Sequence, residues 1–236
     1  MIDVELEFDG RALDRIVAAF LSLPPDLRPQ SYSAGETDPG SSIDDQKKFS
    51  AFVSKSKSGF FLKRAGLVCS VRIAGDKSIV CDCFVEQGAD AARRLLTHLA
   101  KARPLFGYAA DPAERERRNR VAVEQGQNKI EAWVGRDTTR YVPGLYWLTL
   151  LPRGLAESHK LPIDELKQRA MEHTRLDDDL DLFRFYKNPE DWNAAKDKID
   201  DLYRMAPGVF DIEKVRPSLP AASSFLELNA LLQKWK

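Results

Sequence analysis

Cysteine is scarce: Cys69, Cys81 and Cys83 are the only three in 236 residues. An odd, sparse set argues against a disulfide scaffold and fits small buried side chains in a reducing compartment. Histidine is as rare, and His98, His159 and His173 lie far apart with no zinc-type spacing. No metal and no cofactor is therefore expected. No apolar run approaches the roughly 18 residues of a membrane span. Met1 is followed at once by "IDVELEF", without the basic and apolar regions of a secretory leader. A cytoplasmic protein with no membrane partner is the expectation. An excess of either charge is also missing. Lysine plus arginine and aspartate plus glutamate each number 36, so the basic surplus of a duplex-DNA binder is absent and no direct nucleic-acid partner is expected. No GxGxxG, GxxxxGK[ST] or GxSxG motif occurs.

What is present is ordinary globular composition, 43% apolar and 31% charged, in a length that suits one large domain. The reading is a single α+β domain over 1–236, with sub-lobes 1–105 and 106–236 as the division to look for. "IDVELEF" alternates, with Ile2, Val4, Leu6 and Phe8 on one face and Asp3, Glu5 and Glu7 on the other, as in a half-buried strand. Further strands are predicted near 67–74, 78–85, 130–134, 145–151 and 181–187. Apolar residues at helical spacing predict helices from Leu13, from Ser42 as N-cap, around Ala92–Leu99, after Pro162, after Pro189 and over Phe225–Trp235. "DPAERERRNR", 111–120, reads as a short exposed helix. Strand–strand–helix occurs near 67–102 and again near 130–173. Mixed rather than alternating elements favour an antiparallel or mixed sheet with flanking helices.

Catalytic candidates are few. Asp164, Glu165 and Lys167 in "PIDELKQR" could hold a metal, but Pro162 starts a helix there, and residues two apart on a helix point about 200° apart. The turn Gly135–Arg136–Asp137, with Arg140, could supply an acid and an anion clamp. The preferred reading is a polar hairpin connection, with Gly135 at the turn and the charges solvated. "GLYWLTLLP" is apolar on both faces and bracketed by Pro143 and Pro152, as befits a strand covered on both sides.

Two blocks carry a likeness. "RPLFGYAADPAERERRNR" holds Phe106, Gly107, Tyr108, Glu114, Arg118 and Asn119. "IEAWVGRDTTRYVPGLYWLTLLPRGLAESHKLP" holds Trp133, Gly135, Arg136, Asp137, Pro143, Gly144, Leu145, Tyr146 and Trp147. Together they resemble the immunity protein 52 family of bacterial polymorphic toxin systems, over about sixty residues. The resemblance implies a non-enzymatic cytoplasmic inhibitor of a restriction-endonuclease-fold toxin of the kind associated with type VI secretion. Its partner would be the cognate nuclease. The alternatives are an enzyme using the Arg136–Asp137–Arg140 turn, or a structural adaptor.

Two segments are candidates for docking such a toxin. Asp177, Asp178, Asp179 and Asp181 in "RLDDDLDLF", with Asp200 and Asp201 in "DKIDDLY", could mimic phosphates before a basic cleft. The Pro-, Ser- and Gly-rich stretch through 31–61 carries aromatics, of which Tyr32 and Phe60 are the expected contacts.

Overall fold

A computed structural model describes residues 1–125, 128–221 and 224–235. The fold is α+β. The chain divides into two compact units: 1–110 with 148–152, and 111–147 with 153–235. Among the described residues no helix is long and apolar enough to cross a membrane.

The first unit is an antiparallel sheet. Its strands lie in the order Leu148–Pro152, Phe106–Ala110, Ile2–Asp9, Ser78–Val85, Leu67–Ala74, Gly59–Arg64, Ser31–Ser33, Ser41–Ser42. The alternation in "IDVELEF" works as expected for Val4, Leu6 and Phe8, which are fully buried. Most of its acidic face is covered: Asp3 and Glu5 are buried as well, and Glu7 is half-buried. Helices Leu13–Leu21 and Ala89–Leu99 each bury one apolar stripe, and the second packs on the Ile2–Asp9 and Phe106–Ala110 strands. Ser22 Oγ and His98 Nε2 meet at 3.0 Å between these two helices. Helix Gln46–Lys55 starts at Asp45, whose carboxylate accepts the Lys48 N–H, rather than at Ser42.

The second unit holds the helix Pro112–Asn119, the paired strands Arg120–Gln125 and Asn128–Trp133, and the hairpin Glu172–Asp177 with Leu180–Arg184. Helices Arg153–Ser158, Ile163–Arg169, Trp192–Met205 and Phe225–Gln233 complete it. Val121, Val134, Phe210, Ile212, Val215, Leu228 and Leu232 form one of its apolar clusters.

Three expectations are corrected here. The helix at 112–119 is not an exposed one, because Glu114, Arg115, Arg118 and Asn119 are buried. The strand expected at 145–151 begins only at Leu148, since the backbone of Leu145 and Trp147 is engaged elsewhere. The second strand–strand–helix segment keeps its order but not its pairing. Asn128–Trp133 pairs with Arg120–Gln125, and Leu148–Pro152 pairs with Phe106–Ala110.

Candidate functional site

The motif residues of the second unit converge on one buried polar knot. It begins with a helix of unpromising sequence, "PAERERRN", which Asp111 caps by accepting the Ala113 N–H at 2.8 Å. Helical spacing places Glu114 and Arg118 on one face, where Arg118 Nε donates to Glu114 Oε1 at 3.0 Å. The Tyr186 hydroxyl donates to Glu114 Oε2. Arg118 also reaches Asp200 at 3.5 Å and lies over the Tyr203 ring, 5.0 Å from its centre. Arg117 meets the same Asp200 at 3.2 Å.

Asn119 ties this helix to the second motif block. Its Nδ2 donates to the carbonyls of Val134 and Pro143, each at 3.0 Å, and its Oδ1 accepts from the Tyr146 hydroxyl. The Tyr203 hydroxyl accepts the Leu145 N–H at 2.9 Å. Trp147 is held at both ends: its indole N–H donates to the Lys187 carbonyl at 3.3 Å, and its own carbonyl accepts the Phe185 N–H at 3.1 Å. Two glycines are required by close packing. Gly135 has φ +68°, and a Cβ there would lie 2.0 Å from the Phe210 ring. A Cβ on Gly144 would lie 2.8 Å from the Tyr146 ring.

The electrostatics follow from burial. Desolvation pushes the Glu114 carboxyl above its ordinary range; the Arg118 charge and the Tyr186 hydrogen bond pull it back without cancelling the rise. Burial alone would lower Arg118, but the groups around it, with Tyr203 and Glu114 foremost, outweigh that and hold the guanidinium charged. The Tyr146 and Tyr186 hydroxyls are pushed up, first by burial, and stay protonated. A cavity of about 10 Å³ touches Arg117, Arg118, Asp200, Tyr203, Asp211, Ile212 and Glu213. That is room for about one water and not for a substrate.

The Gly135–Asp137 turn spends its acid on itself. Asp137 Oδ1 accepts the Thr139 N–H at 3.0 Å and the Thr139 hydroxyl at 2.6 Å. Arg136 and the buried Arg115 both stack on Trp133, at 5.9 and 4.6 Å. Trp133 itself is 39% exposed. The other family-motif residues of the second unit form the buried frame around it or its flanking turn. Phe106, Gly107 and Tyr108 lie in the first unit, all buried in the Phe106–Ala110 strand.

No known protein family, curated protein or solved structure matches the chain. The likeness to the immunity protein 52 family thus rests on the two motif blocks. Among the described residues no three histidine, cysteine, aspartate or glutamate side chains are grouped as metal ligands would be. Asp164 and Lys167 pair with each other on the Ile163–Arg169 helix at 3.8 Å.

The docking candidates separate sharply. Tyr32 and Phe60 are buried, not exposed: they pack with Phe49 and Phe52 in a four-ring cluster with centre distances of 4.7 to 6.5 Å. Residues 34–42 are mostly exposed, but Lys63 Nζ pins this loop through the carbonyls of Gly35 and Asp38. Asp181 is 5% exposed and bound by His173 at 2.7 Å and Arg175 at 3.5 Å. Asp200 serves the polar knot, and Asp201 pairs with Arg204. Asp177, Asp178 and Asp179 are exposed at the hairpin tip, and none of them has an ion pair among the described residues. Sequence reasoning missed Tyr186 and Tyr203, which close the knot from 72 and 58 residues away. Nothing local to "FRFY" or "DDLY" marks them.

Proposed function

We propose that this chain is a cytoplasmic immunity protein that binds and neutralises a nuclease toxin and catalyses nothing itself. One observation carries the reading. The Glu114, Asn119, Asp137 and Tyr146 side chains of the motif are hydrogen-bonded within the chain, in a frame that leaves the Trp133 indole exposed beside two arginines. An aromatic held by a rigid, already hydrogen-bonded support loses little entropy on binding, and tryptophan and arginine are common binding hot spots. The unpaired acids Asp177 to Asp179 add a charge that would steer the approach of a basic nuclease cleft. The four-ring cluster of Tyr32 and Phe60 belongs to the first unit's core and has no place in the proposed contact. The arrangement supports occlusion of a partner surface over turnover in a pocket.

Co-expression with the nuclease toxin encoded beside the gene tests this. Rescue of growth, and a complex that survives size-exclusion chromatography, are the expected results. Failure to rescue cells making a well-folded chain would reject the proposal. Turnover lost in Asp137→Ala would move the assignment to an enzyme using the 135–140 turn.

A further inference from the structure

All three cysteines share the core-facing side of two adjacent strands, Leu67–Ala74 and Ser78–Val85, and all are fully buried and free. Cys69 is paired directly with Cys83, whereas Cys81 faces Val71. The hydrogen-bond phase of this pairing follows from two flanking bonds. The Glu86 N–H donates to the Gly66 carbonyl at 2.9 Å, so Gly66 and Glu86 form a hydrogen-bonded pair. Pairs alternate from there, which makes Cys69 and Cys83 a non-hydrogen-bonded pair. The other edge agrees. The Ile73 N–H donates to the Ser58 carbonyl at 3.0 Å, so every second residue back, Val71 and then Cys69, turns its backbone towards the Gly59–Arg64 strand.

That phase decides which thiols can join. Opposed residues in a non-hydrogen-bonded pair have Cα atoms about 4.5 Å apart with side chains at their closest, inside the roughly 4.4–6.8 Å span of a disulfide. Cys81 and Cys83 are two residues apart on one strand, about 6.7 Å along it, while a disulfide needs Cβ atoms about 3.5–4.5 Å apart. Cys69 and Cys81 are diagonal neighbours, about 7–8 Å apart.

We propose that Cys69 and Cys83 are a latent redox pair, set to close into a cross-strand disulfide under a peroxide, with Cys81 excluded by register. The Cys69 or Cys83 thiolate attacks one peroxide oxygen, the O–O bond breaks, and a sulfenic acid and hydroxide form. The second thiolate then attacks the sulfenic sulfur, the S–S bond forms, and hydroxide leaves. Two thiols and one hydrogen peroxide give one disulfide and two waters. Burial raises both thiols, Cys83 well above its ordinary range, so thiolate is scarce while the sheet is closed. Oxidation therefore proceeds slowly, at the pace of local opening, and stores a record of sustained rather than brief peroxide exposure. The bond would close a ring over residues 69–83 and lock this hairpin.

Incubation of the full chain with hydrogen peroxide in native buffer, followed by unfolding, alkylation and peptide mapping, tests the pair. The expected product has lost two hydrogens, links Cys69 to Cys83, carries the alkyl label on Cys81, and melts at a higher temperature than the reduced chain. Cys81→Ala should leave the linkage intact and Cys83→Ala should abolish it. The linkage mapped in the unsubstituted chain decides even if a variant folds poorly. A dominant bond to Cys81, sulfinic acid without a disulfide, or no oxidation in native buffer overturns the proposal.

Discussion

Asn119 illustrates how much one side chain can fix. It is fully buried and satisfies two carbonyls and one tyrosine hydroxyl at once. Asn119→Ala leaves those groups without partners, each at a desolvation cost, and should destabilise the protein by about 2–4 kcal/mol. Urea unfolding measures this, and a loss under about 1 kcal/mol would mean that water replaces the amide. Glu114 makes a pH-dependent prediction. Its carboxyl is raised in the fold, so the folded chain holds that proton more tightly than the unfolded chain. The stability it contributes is full below the unfolded value, about 4.3, and is lost as pH rises through the folded value. Against Glu114→Gln, which cannot ionise, the natural protein should therefore lose relative stability as pH rises above that range. A stability difference that is flat from acid to neutral pH would contradict this. At this scale the sequence was a poor guide. The spacing of Glu114 and Arg118 was visible, but charge-rich "ERERRN" reads as solvated surface unless its distant partners Tyr186, Asp200 and Tyr203 are known.

Elements were legible where one face is apolar and the other polar. Leu13–Leu21 matches the periodicity at both ends, and Leu67–Ala74 with Ser78–Val85 matches the alternation and the turn. Strands were missed for two opposite reasons. Phe106–Ala110 is buried at every position and so has no alternation to read. Glu172–Asp177 is only partly covered and carries charges throughout. The segment from Val134 to Trp147 is neither strand nor helix, and its shape comes from side chains gripping its backbone and from Gly135. That glycine makes an element-scale prediction. Gly135→Ala demands a left-handed backbone of an L residue and sets a methyl into the Phe210 ring, a cost of more than about 2 kcal/mol. Trp147→Ala should cost about 3–5 kcal/mol through the cavity and the lost bond to Lys187. Differential scanning calorimetry would rank both among the severe variants, and a near-native midpoint for either would show that the 133–147 segment can repack.

A molecule with no net charge has no overall field to steer a partner, so any electrostatic guidance must come from local asymmetry. Some surface acids here are already spent: Asp9 on Arg11, Asp26 on Arg94, Asp45 on Lys48 and Asp201 on Arg204. The hairpin tip sets three exposed acids side by side, Asp177 to Asp179, and Asp181, two residues on, is fixed by His173 and Arg175 so that the tip stands on a braced strand. If the proposed nuclease docks there, Asp178→Lys with Asp179→Lys should slow association at least tenfold at low salt and flatten its salt dependence, because steering is an on-rate effect. Trp133→Ala should act on the other side of the equilibrium and speed dissociation, because it removes contact area rather than long-range attraction. Asp178 and Asp179 are exposed, so the melting temperature of that double variant should stay within a few degrees of the natural protein's; Trp133→Ala also removes the ring against the buried Arg115, and its rates are read on the folded fraction. Surface plasmon resonance over a salt series separates the two. Unchanged rates for both variants in a folded protein would remove this hairpin and Trp133 from the interface; an equal effect of both on dissociation alone would leave the contact and discard the steering.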